Sequence, residues 1–265
     1  MNGDPIKSSP VWLTAHAAVV LLFLTAPVAI VIPMAFSSAS SLTFPPPGFS
    51  FRWFETLFYD SGWRAAALNS LFVALISSTV AVLLGGFAAY GIARNRFIFR
   101  HLIEGNFVAP LILPPVALSV ALYIVFAKIG LLGTFTGIIL GHTVLCAPYV
   151  VILLGVAIRG FDERFEQVAA TLGASKPRIL FQIMAPNLWP SILASWLFAF
   201  ITSFDEVIVT IFVAGSHMTI PKKMFNELII QINPTITAVA TLLIAFSILI
   251  LAIVGLLVGR RATQR

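Results

Sequence analysis

Charged residues are scarce in this sequence: Asp, Glu, Lys and Arg make up 10% of its 265 residues, less than half the roughly 25% of soluble domains. That shortage excludes a water-covered globule, which needs polar side chains over its surface. Cysteine is almost missing. Cys146 stands alone in an apolar run, so no disulfide forms within the chain, cysteine usage says nothing of compartment, and the residue reads as small packing. There is no Gly-x4-Gly-Lys-[Ser/Thr] loop, and the dipeptide Gly-Lys does not occur, which excludes ATP hydrolysis by a phosphate loop. A basic nucleic-acid face is absent as well. The net charge of +6 comes from Lys and Arg in short clusters between apolar stretches, a pattern of membrane orientation.

What fills the chain instead is hydrocarbon: 59% of residues are hydrophobic and the mean hydropathy is +1.02. A helix needs about 20 apolar residues to cross a bilayer, and about six segments qualify: 12–36, 66–93, 106–128, 135–158, 188–214 and 235–258. The first is longer than the roughly 7–15 residue core of a secretory signal, so it is expected to stay as a span. The expectation is a single all-α membrane domain, 1–265, in a multi-pass arrangement.

Charge placement sets its orientation. On one side lie Lys7, Arg94, Arg96, Arg100, Arg159, Arg164, Lys176, Arg178, Arg260, Arg261 and Arg265; on the other Arg52, Arg64, Lys128, Lys222 and Lys223. The split, 11 against 5 of the 16, puts both termini in the cytoplasm, and an even number of spans agrees. Residues 37–65 then form an external loop. Its stiff Phe44-Pro45-Pro46-Pro47-Gly48-Phe49 turn precedes Phe51, Trp53, Phe54, Leu57 and Phe58, the spacing of a short interfacial helix or of an ordinary loop with surface aromatics. Pro110, Pro114 and Pro115 in the third segment and Pro148 in the fourth predict kinks, which would shape a path or serve packing.

The cytoplasmic connection 159–187 is too polar and too patterned for a passive linker. Phe165, Val168, Ala169 and Leu172 recur at three and four while Glu163, Glu166 and Gln167 face elsewhere, predicting a short amphipathic helix over 162–172. Asp162 and Glu163 favour its start and Gly173 its left-handed C-cap. Ser175 can cap a second helix with Pro177 in its first turn, and Pro186 leads into the fifth segment. A helix lying on lipid would favour Lys and Arg on its polar face, so this acidic one reads as a surface for a soluble partner.

Here the residues resemble the "EAA" loop of binding-protein-dependent ABC importer permeases: Glu-Ala-Ala, three residues, Gly, nine residues, then Ile-x-Leu-Pro. The matching positions are Gln167-Val168-Ala169, Gly173 and Ile183-Met184-Ala185-Pro186. Gln167, Val168 and Ala185 depart from the pattern, and Glu166 places a carboxylate one residue early. Asn69-Ser70-Leu71, Arg94-Asn95-Arg96-Phe97 and Ser203-Phe204-Asp205-Glu206-Val207 extend the resemblance to the second permease of the spermidine/putrescine branch. The resemblance implies a type I importer permease fold in a bacterial inner membrane, with no cofactor of its own. It implies as partners a second permease subunit, two cytoplasmic ATPase subunits and an extracytoplasmic solute-binding protein. It implies ATPase coupling through Glu166, Gln167, Val168, Ala169 and Gly173. Polyamines lead as solutes, ahead of other amines, aminophosphonates and ferric ion.

Asp205 and Glu206 are the only carboxylates deep in an expected span, where such groups need a protein or water partner. Ser195, Ala199, Thr202, Glu206 and Thr210 share one small-and-polar stripe, predicting that Glu206 points into the bundle. Two readings compete: Asp205, Glu206 and Thr202 line a path that attracts an ammonium group, or the acids make structural contacts to a helix or backbone end. His142 and Tyr149 form no metal-ligand set and read as helix contacts. A proton-driven secondary transporter using Asp205 and Glu206 is the alternative function, but the inverted repeat usual there is not visible.

Overall fold

The computed structural model describes residues 11–95, 98–230 and 233–262, the last stretch beyond Leu249 as backbone. In chain order the helices are α1 (Val11–Ala35), α2 (Arg52–Tyr59), α3 (Ser61–Arg94), α4 (Arg100–Ile112), α5 (Pro115–Lys128), α6 (Phe135–Gly160) and α7 (Glu163–Thr171). There follow α8 (Lys176–Ile179), a π-helical turn (Leu180–Met184), α9 (Ala185–Asn187), α10 (Trp189–Phe204), α11 (Ile208–Val213), α12 (Ile220–Ile230) and α13 (Thr235–Ala262). Among the described residues the only β pairing is an isolated bridge, Ser37 to Phe49.

By length and composition α1, α3 and α6 can each cross a membrane, and the number rises to five if two bent pairs each count as one span. The sixth expected segment is helical as α13. Lys7, Arg96 and Arg265, and the side chains of Arg260 and Arg261, lie outside the described residues, so six spans and cytoplasmic termini return as part of the functional proposal.

Two of the expected segments are divided rather than kinked. In the third, α4 and α5 meet at 109°. Leu113 stands extended at ψ 138, because the residue before a proline is driven out of the helical region. Pro115 then opens α5 where its missing N–H costs nothing. Pro110 and Pro148, by contrast, sit within continuous helices. The fifth segment splits at Asp205–Val207 into α10 and α11, without any proline.

The chain falls into two compact units. One combines Met1–Asp60 with Glu227–Ile248. Its core joins Ala35, Trp53 and Ala238; the Trp53 indole N–H donates to the Ser37 carbonyl at 2.8 Å, and the Arg52 guanidinium lies 4.1 Å from the Trp53 ring, a cation–π contact. The aromatic face expected of α2 therefore divides: Trp53 turns inward while Phe51, Phe58 and Tyr59 stay exposed.

The other unit holds Ser61–Asn226 and Leu249–Arg265. Here α3 packs most extensively along α6, then along α10. Besides Trp63, Val73 and Ile92, its buried face carries a run of small residues, Ser70, Ala74, Ser77, Ala81, Gly85 and Ala89, at the three-to-four spacing that lets apolar helices approach closely in lipid. Contact is tightest at Gly85, where a Cβ would stand 2.9 Å from Val150 Cγ1 and 3.4 Å from the Ala147 carbonyl oxygen. Two polar ties cross the helices: Ser77 Oγ donates to the Ile139 carbonyl at 3.2 Å, and Cys146 Sγ to the Ala199 carbonyl at 3.2 Å. Cys146 is thus fully buried packing, as its setting suggested. Gly85→Leu is expected to cost about 1–3 kcal/mol by overpacking this seam, read as a lowered thermal midpoint of the purified chain, while Gly91→Ala, where a Cβ meets open space within α3, holds or raises it through helix propensity.

Candidate functional site

The amphipathic helix expected over 162–172 forms as α7, and its ends are built as the sequence implies. Asp162 caps it, Oδ1 accepting from the Arg164 N–H at 2.9 Å. Gly173 stops it at φ +83, a left-handed conformation that favours glycine, while the Gly173 N–H donates to the Ala170 carbonyl and the Ala174 N–H to that of Ala169, both at 3.0 Å. Ser175 occupies the cap position of α8 but makes no side-chain cap bond. Beyond α8 the chain takes one π turn, a form that recurs at functional positions. It then bends by 78° into α10.

Which residues of α7 face inward is decided by Arg94, the last residue of α3. Its guanidinium reaches Glu166 Oε1 from Nη2 at 2.7 Å and from Nε at 2.8 Å, and Glu163 Oε1 from Nη1 at 3.1 Å. Nη2 also donates to the Phe161 carbonyl at 3.0 Å. The Arg94 and Glu166 side chains are 9% and 16% exposed, so this pair is screened far less than a surface ion pair. Glu163, at 63% exposed, is the weaker arm. Glu166 and Ala169 are therefore turned toward the membrane helices. Gln167 is exposed, and Phe165, Val168 and Leu172 form an open apolar stripe at 61%, 58% and 83% exposure. The four apolar residues that shared one periodicity thus separate, Ala169 inside and the other three out.

The acidic pair occupies the break between α10 and α11. The Asp205 side chain is exposed and the Glu206 side chain half-buried. Glu206 Oε1 accepts from the Val209 N–H at 2.8 Å, satisfying a donor that the start of α11 would otherwise leave free. Thr202 is half-buried and its hydroxyl donates back to the Phe198 carbonyl at 2.8 Å. The buried stripe of α10 runs through Ser195, Ala199 and Ser203, one step round from the expected Thr202, and the break ends the periodicity before Glu206. Thr202, Asp205 and Glu206 are close in sequence around this break; the α7 residues form a separate site.

Sequence reasoning did not assign partners to Arg94 and His142. His142, 1% exposed, spans the break from α6: Nδ1 pairs with Ser203 Oγ at 2.8 Å and Nε2 with Thr210 Oγ1 at 2.9 Å. The Thr210 hydroxyl donates to the Glu206 carbonyl at 3.0 Å, so the histidine and its two hydroxyl partners link α6 to both sides of the break. Hydroxyls seven residues apart flanking a short break were the available signal for this contact. For Arg94 it was a cation at the end of a span with two glutamates spaced i, i+3 in the polar loop.

The described membrane segments are helical apart from their breaks, and α7 is locked to the end of α3 while bearing an exposed apolar stripe. Residues 81–264 match the family described as binding-protein-dependent transport system inner membrane component, and the chain belongs to that family. It is 32% identical over 215 residues (81% of this chain, 83% of the relative) to the spermidine/putrescine transport system permease protein PotC of Haemophilus influenzae. To PotC of Escherichia coli it is 30% identical over 243 residues, 91% of each chain. To the putrescine transport system permease protein PotI of Escherichia coli it is 30% identical, covering 100% of this chain and 96% of the relative. Its fold is shared with a chain of a bacterial ABC transporter that imports the acidic polysaccharide alginate, at TM-score 0.71 and 18% identity over 98% of this chain and 99% of that one. It also matches the MetNI methionine ABC transporter, at TM-score 0.57 and 16% identity over 76% of this chain and 98% of that one. The chain is a permease subunit of an ABC importer, a multi-pass inner membrane protein that carries no ATPase itself and works within an assembly.

Ala169, 7% exposed, tests the seating of α7. Ala169→Glu puts an unpartnered carboxylate against the bundle, at a cost of about 1–3 kcal/mol or more. Amide exchange in 163–174 should accelerate at least tenfold, with α3 and α6 unaltered.

Proposed function

We propose that this chain forms half of the translocation path for a polyamine such as spermidine or putrescine, or a related small amine. It pairs with a second, different permease chain and spans the membrane six times with both termini in the cytoplasm. Two cytoplasmic ATPase subunits power the assembly, one of them gripping α7, and an extracytoplasmic solute-binding protein delivers the amine. ATP-driven closure of the ATPase pair displaces α7 and rocks the permeases between outward and inward states.

The observation that carries the docking reading is the open stripe of Phe165, Val168 and Leu172 on a helix whose other face is fixed. Apolar surface on a polar loop gains by burial about 25 cal/mol per Å2, which a cleft in a soluble partner supplies. Gln167 and Gly173 flank that stripe. Val168→Glu combined with Leu172→Glu should reduce co-purification of the ATPase chain at least tenfold without lowering insertion of the permease. Undiminished co-purification would refute the assignment.

The amine reading draws on the names of the relatives and on the broken helix between α10 and α11, since interrupted spans supply substrate sites in many transporters. Asp205 is the exposed carboxylate there, while Glu206 is partly committed to capping α11. Asp205→Asn should therefore raise the half-saturating spermidine concentration about tenfold, equivalent to about 1.4 kcal/mol, with ATPase assembly intact. Glu206→Gln, which keeps an acceptor for the Val209 N–H, should do so less. Equal, unperturbed kinetics in both variants would remove the acids from the path.

A further inference from the structure

The loop helix is tied to the membrane helices by the chain itself, from α6 through Phe161 and Asp162 and onward through α8, and by ion pairs. Through the chain it continues by α8 and the π turn into α10. That route runs beside an apolar groove of about 160 Å3, lined by Gly86, Tyr90, Leu154, Leu180, Met184 and Leu188, and holds to the α3 and α6 core by apolar contacts of Leu180 and Met184, the end residues of the π turn, rather than by an ion pair. The other connection is ionic. Arg94 binds the Phe161 carbonyl before α7 and Glu163 and Glu166 within it, gripping three points along its first turn and approach. Arg94 in turn ends α3, which packs most extensively along α6 and closely at Gly85.

We propose that Arg94 is the positioning residue that makes α7 and the cytoplasmic end of α3 move as one body, so that displacement of α7 is delivered to α3 rather than absorbed in the π turn. This rests on the reading of α7 as the ATPase contact. Arginine suits the role because its planar fork serves a carboxylate and a carbonyl together, whereas lysine offers a single point charge. With Arg94 removed, Glu166 loses its cation, α7 keeps only its chain links to α6 and α8 and its buried Ala169, and less of its movement reaches the end of α3.

The test uses the complete assembly, with spin labels at Asn95 and Thr171, both exposed, and distances measured with and without ATP. With Arg94 present the distance is expected to stay constant; in Arg94→Ala it should shift or broaden on ATP addition. Spermidine uptake per ATP hydrolysed should fall at least tenfold in Arg94→Ala, less in Arg94→Lys, and recover severalfold in the exchange Arg94→Glu with Glu166→Arg. An ATP-dependent distance change with Arg94 present, or no difference between Arg94 and Arg94→Ala, would overturn the proposal. So would loss of ATPase co-purification in Arg94→Ala, since Arg94 would then build the docking surface rather than transmit through it. If the chain with Arg94 intact does not co-purify with the ATPase at all, the docking reading fails first and takes this one with it.

Discussion

Backbone groups buried in lipid have no water to turn to, so every departure from a helix must find partners within the protein. That constraint explains where this chain breaks and what stands there. At Leu113 a proline pair separates α4 from α5, and the Leu118 N–H donates to the Pro114 carbonyl at 3.1 Å as α5 begins. At the start of α6, Thr134 Oγ1 accepts from the Gly137 N–H at 3.0 Å. Between α10 and α11 a carboxylate serves the Val209 N–H, and a histidine braces the hydroxyls on both sides. The polar residues of the spans are first the means of keeping broken helices satisfied, and any role toward a solute is built on that.

The same economy shapes the loop between α6 and α10. A short helix such as α7 is marginal alone, and only Ala169 of its apolar residues is buried. Its order comes from a cap at Asp162, a glycine stop and the Arg94 pairs. Because polar anchors hold the helix, its larger apolar side chains are left free. Charge serves for attachment and hydrocarbon is left on display, the reverse of an ordinary soluble helix.

Much of this was legible in the sequence. Apolar run length located the long helices, and the periodicity of 162–172 with Asp162 and Gly173 at its ends located α7 and its caps. The breaks were harder. Prolines marked the one between α4 and α5 but suggested only a kink, because Pro110 and Pro148 show that a span tolerates proline when neighbours hold it. The break at Asp205–Val207 has no Gly or Pro, so helical periodicity was carried through it and placed Thr202 and Glu206 on the buried stripe. The inward face of α7 depends on a residue some 70 positions away, Arg94 to Glu166 being separated by 72, and local periodicity cannot register such a pair.

The central claim is that this chain moves solute only as one part of an ATP-driven assembly. The most direct measurement compares radiolabelled spermidine uptake into proteoliposomes that hold either this chain alone under an imposed proton gradient or the complete assembly with ATP. Uptake only in the second case, abolished by omitting the ATPase chains, is the result this account predicts. Accumulation by the chain alone on the proton gradient would contradict it.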